Sequence, residues 1–331
     1  MKKINKTILT GLQPTGEITL GNYVGAIKQV IENQDKYENS YLFIADMHAI
    51  TIKQDPKVLK ENIRKLLAIY LAAGVDSNKN IIFLQSENEY HTNVSWLLEC
   101  TTYFGELSRM IQFKEKSQKN ANFSAGLFTY PVLMASDILI YDADIIPVGV
   151  DQKQHVELTR DIAIRFNKLY GNTFNIPDVL ITKEGTKIMD LQNPTKKMSK
   201  SSDNPNSVIR ILDDIDTVKK KILKAETDSE MKVYFDEENK PGISNLLNIY
   251  IALKGVSMKD AEDTFKNSTY KEFKEAVAEV VSIELGRIQK RYYELINSEE
   301  LDEILEKGRI HTQKIAKAKF EDMKKKMGLT R

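Results

Sequence analysis

The chain has 331 residues, 41% of them apolar and 29% charged, with a net charge of +1. That is enough apolar material for one large or two medium domains. The near-zero net charge leaves any nucleic-acid partner to local patches, and a single cysteine, Cys100, rules out an internal disulfide framework or a thiolate zinc site.

No apolar run approaches the roughly 20 residues of a membrane span, and the start of the chain lacks the apolar region of a signal peptide. A cytoplasmic protein without membrane association is therefore expected.

Thr7-Ile8-Leu9-Thr10 reads as a buried strand. It ends in Gly11-Leu12-Gln13-Pro14-Thr15-Gly16, and Thr19-Leu20-Gly21-Asn22 then leads into a helical stretch from Tyr23 to Ile31. Strand, glycine-bearing loop and helix N-terminus form a layout that binds phosphate, because unpaired N–H groups and the helix dipole point at the anion. It is not the GxGxxG fingerprint, so no dinucleotide site is read. Tyr41 to Ala45 is a second strand, running into Asp46-Met47-His48, where open α/β sheets place ligands. His48 fits a ligand-lining role or a structural histidine equally well from position alone.

Asp55-Pro56 opens a helix and Gly74 closes it. Ile81 to Leu84 is a third buried strand. From Thr92 to Lys116 the pattern is helical but mixed, and the single tryptophan, Trp96, is expected in the core, with a subunit contact as the alternative. The stretch from Tyr130 to Tyr141 is almost wholly apolar yet contains Asp137. Helical spacing puts Tyr130, Met134 and Asp137 on one face. A buried carboxylate costs several kcal/mol unless paired. It is either a structural pair or an acceptor at the base of an apolar pocket.

Asp144 to Val148 is a fourth strand. Gly149-Val150-Asp151-Gln152 and a helix to about Lys168 follow. Lys196-Lys197-Met198-Ser199-Lys200-Ser201-Ser202 packs three lysines and three serines between turn formers. Such a segment suits an exposed, movable loop that holds a polyanion, a solvated basic turn being the plain alternative.

Beyond residue 206 the pattern is helical: Asp213 to Lys224, a helix opened by Pro241-Gly242, one from Tyr270 to Asn297, and one from Ser298 to about Met327 with a possible break at Gly308. The tail from Lys307 to Arg331 carries nine Lys or Arg against two acids. The whole reads as an α/β Rossmann-like doubly wound parallel sheet with a C-terminal all-helical domain.

Thr19-Leu20-Gly21-Asn22 resembles a form of the "HIGH" signature of class I aminoacyl-tRNA synthetases, and Lys197-Met198-Ser199-Lys200-Ser201 is similar to their "KMSKS" signature. Gly11 to Gly16, Asp151 to His155 with Glu157 to Arg160, and Pro241 to Leu247 match further blocks in order. The chain thus resembles the bacterial-type tryptophanyl-tRNA synthetases along nearly its whole length.

The resemblance implies residues 1–195 as the catalytic domain, 196–206 as the catalytic loop, and 207–331 as a tRNA-anticodon-binding domain whose last helix packs back on the catalytic one. It implies activation of L-tryptophan with ATP to the adenylate and pyrophosphate, Mg²⁺ accompanying ATP, then transfer to tRNA(Trp) by a homodimer. Lys197, Ser199, Lys200 and Lys116 would be catalytic. Gln13, Pro14, Thr15, Thr19, Gly21, Asn22, Gly149, Asp151, Ile188 and Met198 would join the signature loop in binding ATP, with no metal held by the protein. Asp137 would accept the indole N–H, with Met134, Leu9, Gly11 and His48 around the ring. Tyr130, Gln112 and Gln152 would hold the amino acid's charged end. Leu9 departs from the family, where this position is often aromatic. Other readings are a tyrosyl-tRNA synthetase, a small-molecule adenylyltransferase, or an RNA-binding protein derived from this fold.

Overall fold

The computed structural model describes residues 3–114, 123–149, 152–181, 187–199, 202 and 204–331. Among the described residues five parallel strands form one sheet: β1 (Ile4–Leu12), β2 (Tyr37–Ile44), β3 (Ile81–Leu84), β4 (Ile145–Val148) and β5 (Asp178–Ile181). Their spatial order is β3-β2-β1-β4-β5. The chain winds outward from β1 in one direction, then returns to β1's other side with β4, so the winding reverses between β1 and β4. At such a point the connections at the carboxyl ends diverge and leave a crevice.

Both faces of the sheet are covered, which explains strands written as unbroken apolar runs. Leu42, Ile44 and Ile82 look into one core, together with Leu66, Leu67 and Tyr70 of the helix Pro56–Ala73. Tyr41, Phe43 and Phe83 look into the other, with Val94, Val132 and Phe166. The local signals behave as written. Asp55 caps the Pro56–Ala73 helix by accepting from the Lys57 and Val58 amides, and Gly74 ends it at φ 117°.

The run after Thr19 is helical throughout, but as an α turn (Leu20–Asn22), a π segment (Tyr23–Ile27) and a second α piece (Lys28–Asn33). The mixed stretch after Thr92 is not one helix: it resolves into Tyr90–Glu99 and Phe104–Ser108. Trp96 is not in the core. It is 65% exposed, because the buried face of Tyr90–Glu99 is taken by His91, Val94, Ser95, Leu97 and Leu98.

The C-terminal region is helical: Ile215–Leu223, Pro241–Lys254, Met258–Phe265, Tyr270–Leu295 and Glu300–Lys326. The short Met258–Phe265 helix, capped by Ser257 and Asp260, escaped the sequence reading. This region shares the first core with the sheet: Ile243, Phe273 and Ile288 belong to the same cluster as Leu42 and Ile82.

The last helix runs unbroken through Gly308. That glycine is there for close approach: a Cβ on it would stand 1.8 Å from the Ile82 carbonyl oxygen of β3. Lys319, further along, binds Asp142 at 2.7 Å and the Thr173 carbonyl oxygen at 2.8 Å. Part of the basic tail is thereby spent on docking the helix to the sheet's edge region.

Candidate active site

A cleft of about 330 Å³ opens at the reversal point. The ends of β1 and β4 form its walls through Leu9, Gly11 and Gln13 on one side and Ile146, Val148 and Gly149 on the other. Phe43 of β2 and Ala45 just after it also line the cleft. Gly11 leaves room for the Phe43 ring, which a Cβ would meet at 2.4 Å and push aside.

The helix Ala125–Leu139 supplies the floor. Tyr130, Met134 and Asp137, at i, i+4 and i+7, all line the cleft, as do His48, Gln112 and Gln152.

Asp137 is 1% exposed, and its pairing explains how a carboxylate survives there. His48 Nε2 lies 2.7 Å from Oδ2. His91 Nδ1 lies 2.7 Å from Oδ1, and Gln85 Nε2 donates to the same oxygen at 2.8 Å. Burial by itself pushes the Asp137 carboxyl up, but the His48 and His91 imidazoles outweigh it and hold the group below the usual carboxylate value. A carboxylate offers about four lone-pair directions. Three are used by described residues, and the fourth belongs to Oδ2, the oxygen paired with cleft-lining His48.

Gln85 is itself oriented, since its Oε1 accepts from the Met47 amide at 3.1 Å. Tyr130 donates to Gln112 Oε1 at 3.2 Å and meets His155 Nε2 at 2.8 Å, and burial pushes its phenol up to about 12.

The two signature segments come together away from this floor. Gly21 faces Ile188 and Met198, whose Cβ atoms lie 3.7 Å from where a Gly21 Cβ would stand. Met198 donates from its amide to the Ile188 carbonyl at 3.0 Å, and both side chains are buried. Lys197 and Ser199, either side of Met198, are exposed.

Thr19 is buried and engaged with Asn22: its hydroxyl accepts from the Asn22 amide at 3.2 Å, and its own amide donates to Asn22 Oδ1 at 3.1 Å. These two side chains cap the helix start reciprocally and do not line the 330 Å³ cleft. Pro14 lines a smaller hollow with Ile18 and Leu66, and Thr15 is half-buried beside it in sequence. Lys116, Asp151 and Lys200 lie outside the described residues.

Several contributors were not picked out from sequence. Gln85 and His91 reach Asp137 from 52 and 46 residues away, distances that no local pattern encodes. A polar residue ending β3, and a histidine on the apolar face of Tyr90–Glu99, are the signals that could have found them. Asn245 grips both backbone groups of Met189, accepting at 2.8 Å and donating at 3.0 Å. Met189 pairs with Lys197, so Asn245 of the helical region anchors the base of the signature hairpin.

Among the described residues no group of three His, Cys, Asp or Glu is arranged to hold a metal. The described helices include none long and apolar enough to cross a membrane.

The model of the family "tRNA synthetases class I (W and Y)" matches residues 1–286. The chain is 52% identical to a tryptophan–tRNA ligase of Halalkalibacterium halodurans over 328 residues, covering 99% of each, and 51% identical to that of Bacillus subtilis with the same coverage. Its fold superposes on a crystal structure of tryptophanyl-tRNA synthetase from Mycoplasma pneumoniae with a TM-score of 0.91, at 38% identity and covering 99% of each chain. Two signature segments in contact, a cleft at the sheet's reversal point and these full-length likenesses agree: the chain belongs to the class I tRNA synthetases, on the bacterial tryptophanyl branch.

Proposed function

We propose that the chain activates L-tryptophan with ATP and transfers it to the 3′-terminal adenosine of tRNA(Trp). It is a tryptophan–tRNA ligase. Asp137 carries the specificity reading. Indole offers one N–H donor and no acceptor, so its slot needs apolar walls and one acceptor. Asp137 has that chemistry: a buried carboxylate fed by three donors, kept ionised, at the floor of an apolar cleft.

In the first step the tryptophan carboxylate attacks the α-phosphate of ATP and pyrophosphate leaves. This chemistry needs positioning and charge stabilisation more than covalent help. Lys197 and Lys200, helped by Lys116, would neutralise the departing pyrophosphate, with the Ser199 hydroxyl donating a hydrogen bond to it. Gln13 would meet the α-phosphate. Gly21, Ile188, Met198, Gly149 and Asp151 would flank the nucleotide, with Pro14, Thr15, Thr19 and Asn22 shaping the loop and helix start beside it. Mg²⁺ would accompany ATP and supply charge neutralisation at the phosphates, with no protein ligand set assigned to it. Leu9, Gly11, His48 and Met134 would surround the indole, and Tyr130, Gln112 and Gln152 would hold the ammonium and carboxylate.

Residues 1–195 would form the catalytic domain, 196–206 its mobile loop and 207–331 the tRNA-binding part, working in the cytoplasm as a homodimer. Favouring the dimer, Trp96 at 65% and Ile50 at 59% exposure share one open groove beside the Tyr90–Glu99 and Ala125–Leu139 helices.

Replacing the acceptor tests the reading. Asp137→Ala should raise the KM for tryptophan about a hundredfold or more while moving that for ATP little, because a site built around a hydrogen bond discriminates through it. Equal effects on both substrates would sink the assignment.

A further inference from the structure

Behind Asp137 lies a buried polar chain that the proposed reaction does not use directly. Asn88 Nδ2 donates to the Tyr141 phenol oxygen at 3.0 Å. That oxygen lies 2.8 Å from His91 Nε2. His91 Nδ1 then meets Asp137 Oδ1 at 2.7 Å. All four side chains are buried, His91 completely.

The direction of this chain follows from elementary bonding. An ionised Asp137 can only accept, so His91 carries its proton on Nδ1. The Tyr141 phenol, pushed far up by burial, keeps its hydrogen, and with His91 neutral it donates that hydrogen to the bare Nε2, Thr312 and Asn88 being its other hydrogen-bond neighbours. The imidazole is thereby set in one tautomer, with its ring held at both nitrogens.

The rings around it leave little room to turn. Tyr41 stacks on Tyr141 with centroids 5.1 Å apart and 17° between planes, and Phe83 meets Tyr141 edge-on at 5.4 Å. Phe83 also packs on His91 at 5.9 Å.

We propose that Tyr141 and His91 are positioning residues for amino-acid specificity, fixing Asp137 as a pure acceptor aimed into the cleft. This rests on the reading that Asp137 accepts the ring N–H of the substrate. Tyr141 acts through His91, and neither touches the substrate. The Oδ1 side is saturated by His91 and Gln85, so ligand recognition is confined to the Oδ2 side. Loosening the relay lets His91 turn its proton to Nε2 and present a bare nitrogen to the carboxylate. Asp137 would then swing or bind a water, and its aim would be lost.

The test compares L-tryptophan with 3-benzothienyl-L-alanine, which replaces the indole N–H by sulfur at nearly unchanged shape. Amino-acid-dependent ATP–pyrophosphate exchange is measured with both, giving KM and kcat. The wild type should favour tryptophan by about a hundredfold, since losing a hydrogen bond to a charged partner is costly. Tyr141→Phe removes one oxygen and should cut that preference about tenfold through the KM for tryptophan, leaving kcat and the KM for ATP within about twofold. His91→Asn keeps a donor near the position of Nδ1 and should retain most of the preference, whereas His91→Phe should lose it.

A Tyr141→Phe enzyme that weakens both amino acids equally, with the preference intact, would overturn the proposal, as would equal preferences in His91→Asn and His91→Phe. A wild type that treats the two amino acids alike would remove the Asp137 reading underneath it.

Discussion

Asp137 shows at the scale of one residue how an unfavourable group becomes useful. Unpaired, it would cost several kcal/mol in this apolar helix. With His48, His91 and Gln85 around it, its carboxyl titrates lower in the folded chain than in the unfolded one. Its contribution to stability is therefore fully present above the unfolded carboxylate value of about 3.9, and fades as pH falls through the folded value beneath it. The difference in unfolding free energy between wild type and Asp137→Asn, followed by urea denaturation across pH, should be flat above about pH 4 and shrink below it. A difference that already shrinks near about pH 6 would put the coupling on the imidazoles instead. The sequence exposes half of this arrangement. Tyr130, Met134 and Asp137 stand on one helical face because spacing along a helix is a local rule. The donors that tame Asp137 arrive from a turn after β3 and from a separate helix, and tertiary proximity of that kind leaves no mark in a single sequence. Trp96 misled for a related reason: a large apolar ring reads as core unless the opposite helix face is seen to be full.

Strands and capped helices were the most legible elements. Ile81–Leu84 has the bounds that its apolar run suggests, and Asp55-Pro56 with Gly74 marks its helix at both ends. These signals act within a few residues of themselves, so no distant contact can rewrite them. Gly308 is the instructive failure. Glycine in a helix suggests a break, yet the Glu300–Lys326 helix continues because this glycine lets it lie against β3. Gly308→Ala should cost about 1–3 kcal/mol or more, since the clash is with backbone that cannot rotate away. Thermal unfolding checks this, and a variant as stable as wild type would mean that the helix does not dock this closely. The contact also bears on function, because the same helix brings His311 to Tyr41, which stacks on Tyr141.

The whole molecule joins its helical region to its catalytic sheet at several points that matter for chemistry. Tyr23, just beyond the first signature, donates to Glu284 at 2.5 Å, and Arg287 binds both Glu284 and the carbonyl ends of the Pro56–Ala73 helix. Asn245 holds the hairpin that carries Lys197. The helical region is thus hydrogen-bonded to segments beside both signatures. The exposed groove around Trp96 is where the second subunit is expected. Trp96→Glu should shift the sedimentation equilibrium toward monomer, while an unchanged mass would place the dimer contact elsewhere. Together, this cleft and the two signatures would activate tryptophan with ATP. The most direct test is ATP–pyrophosphate exchange without tRNA, supplying one amino acid at a time. Exchange with tryptophan alone is the predicted result; exchange with tyrosine in its place, or the absence of exchange with every amino acid in a folded, ATP-binding protein, would contradict it.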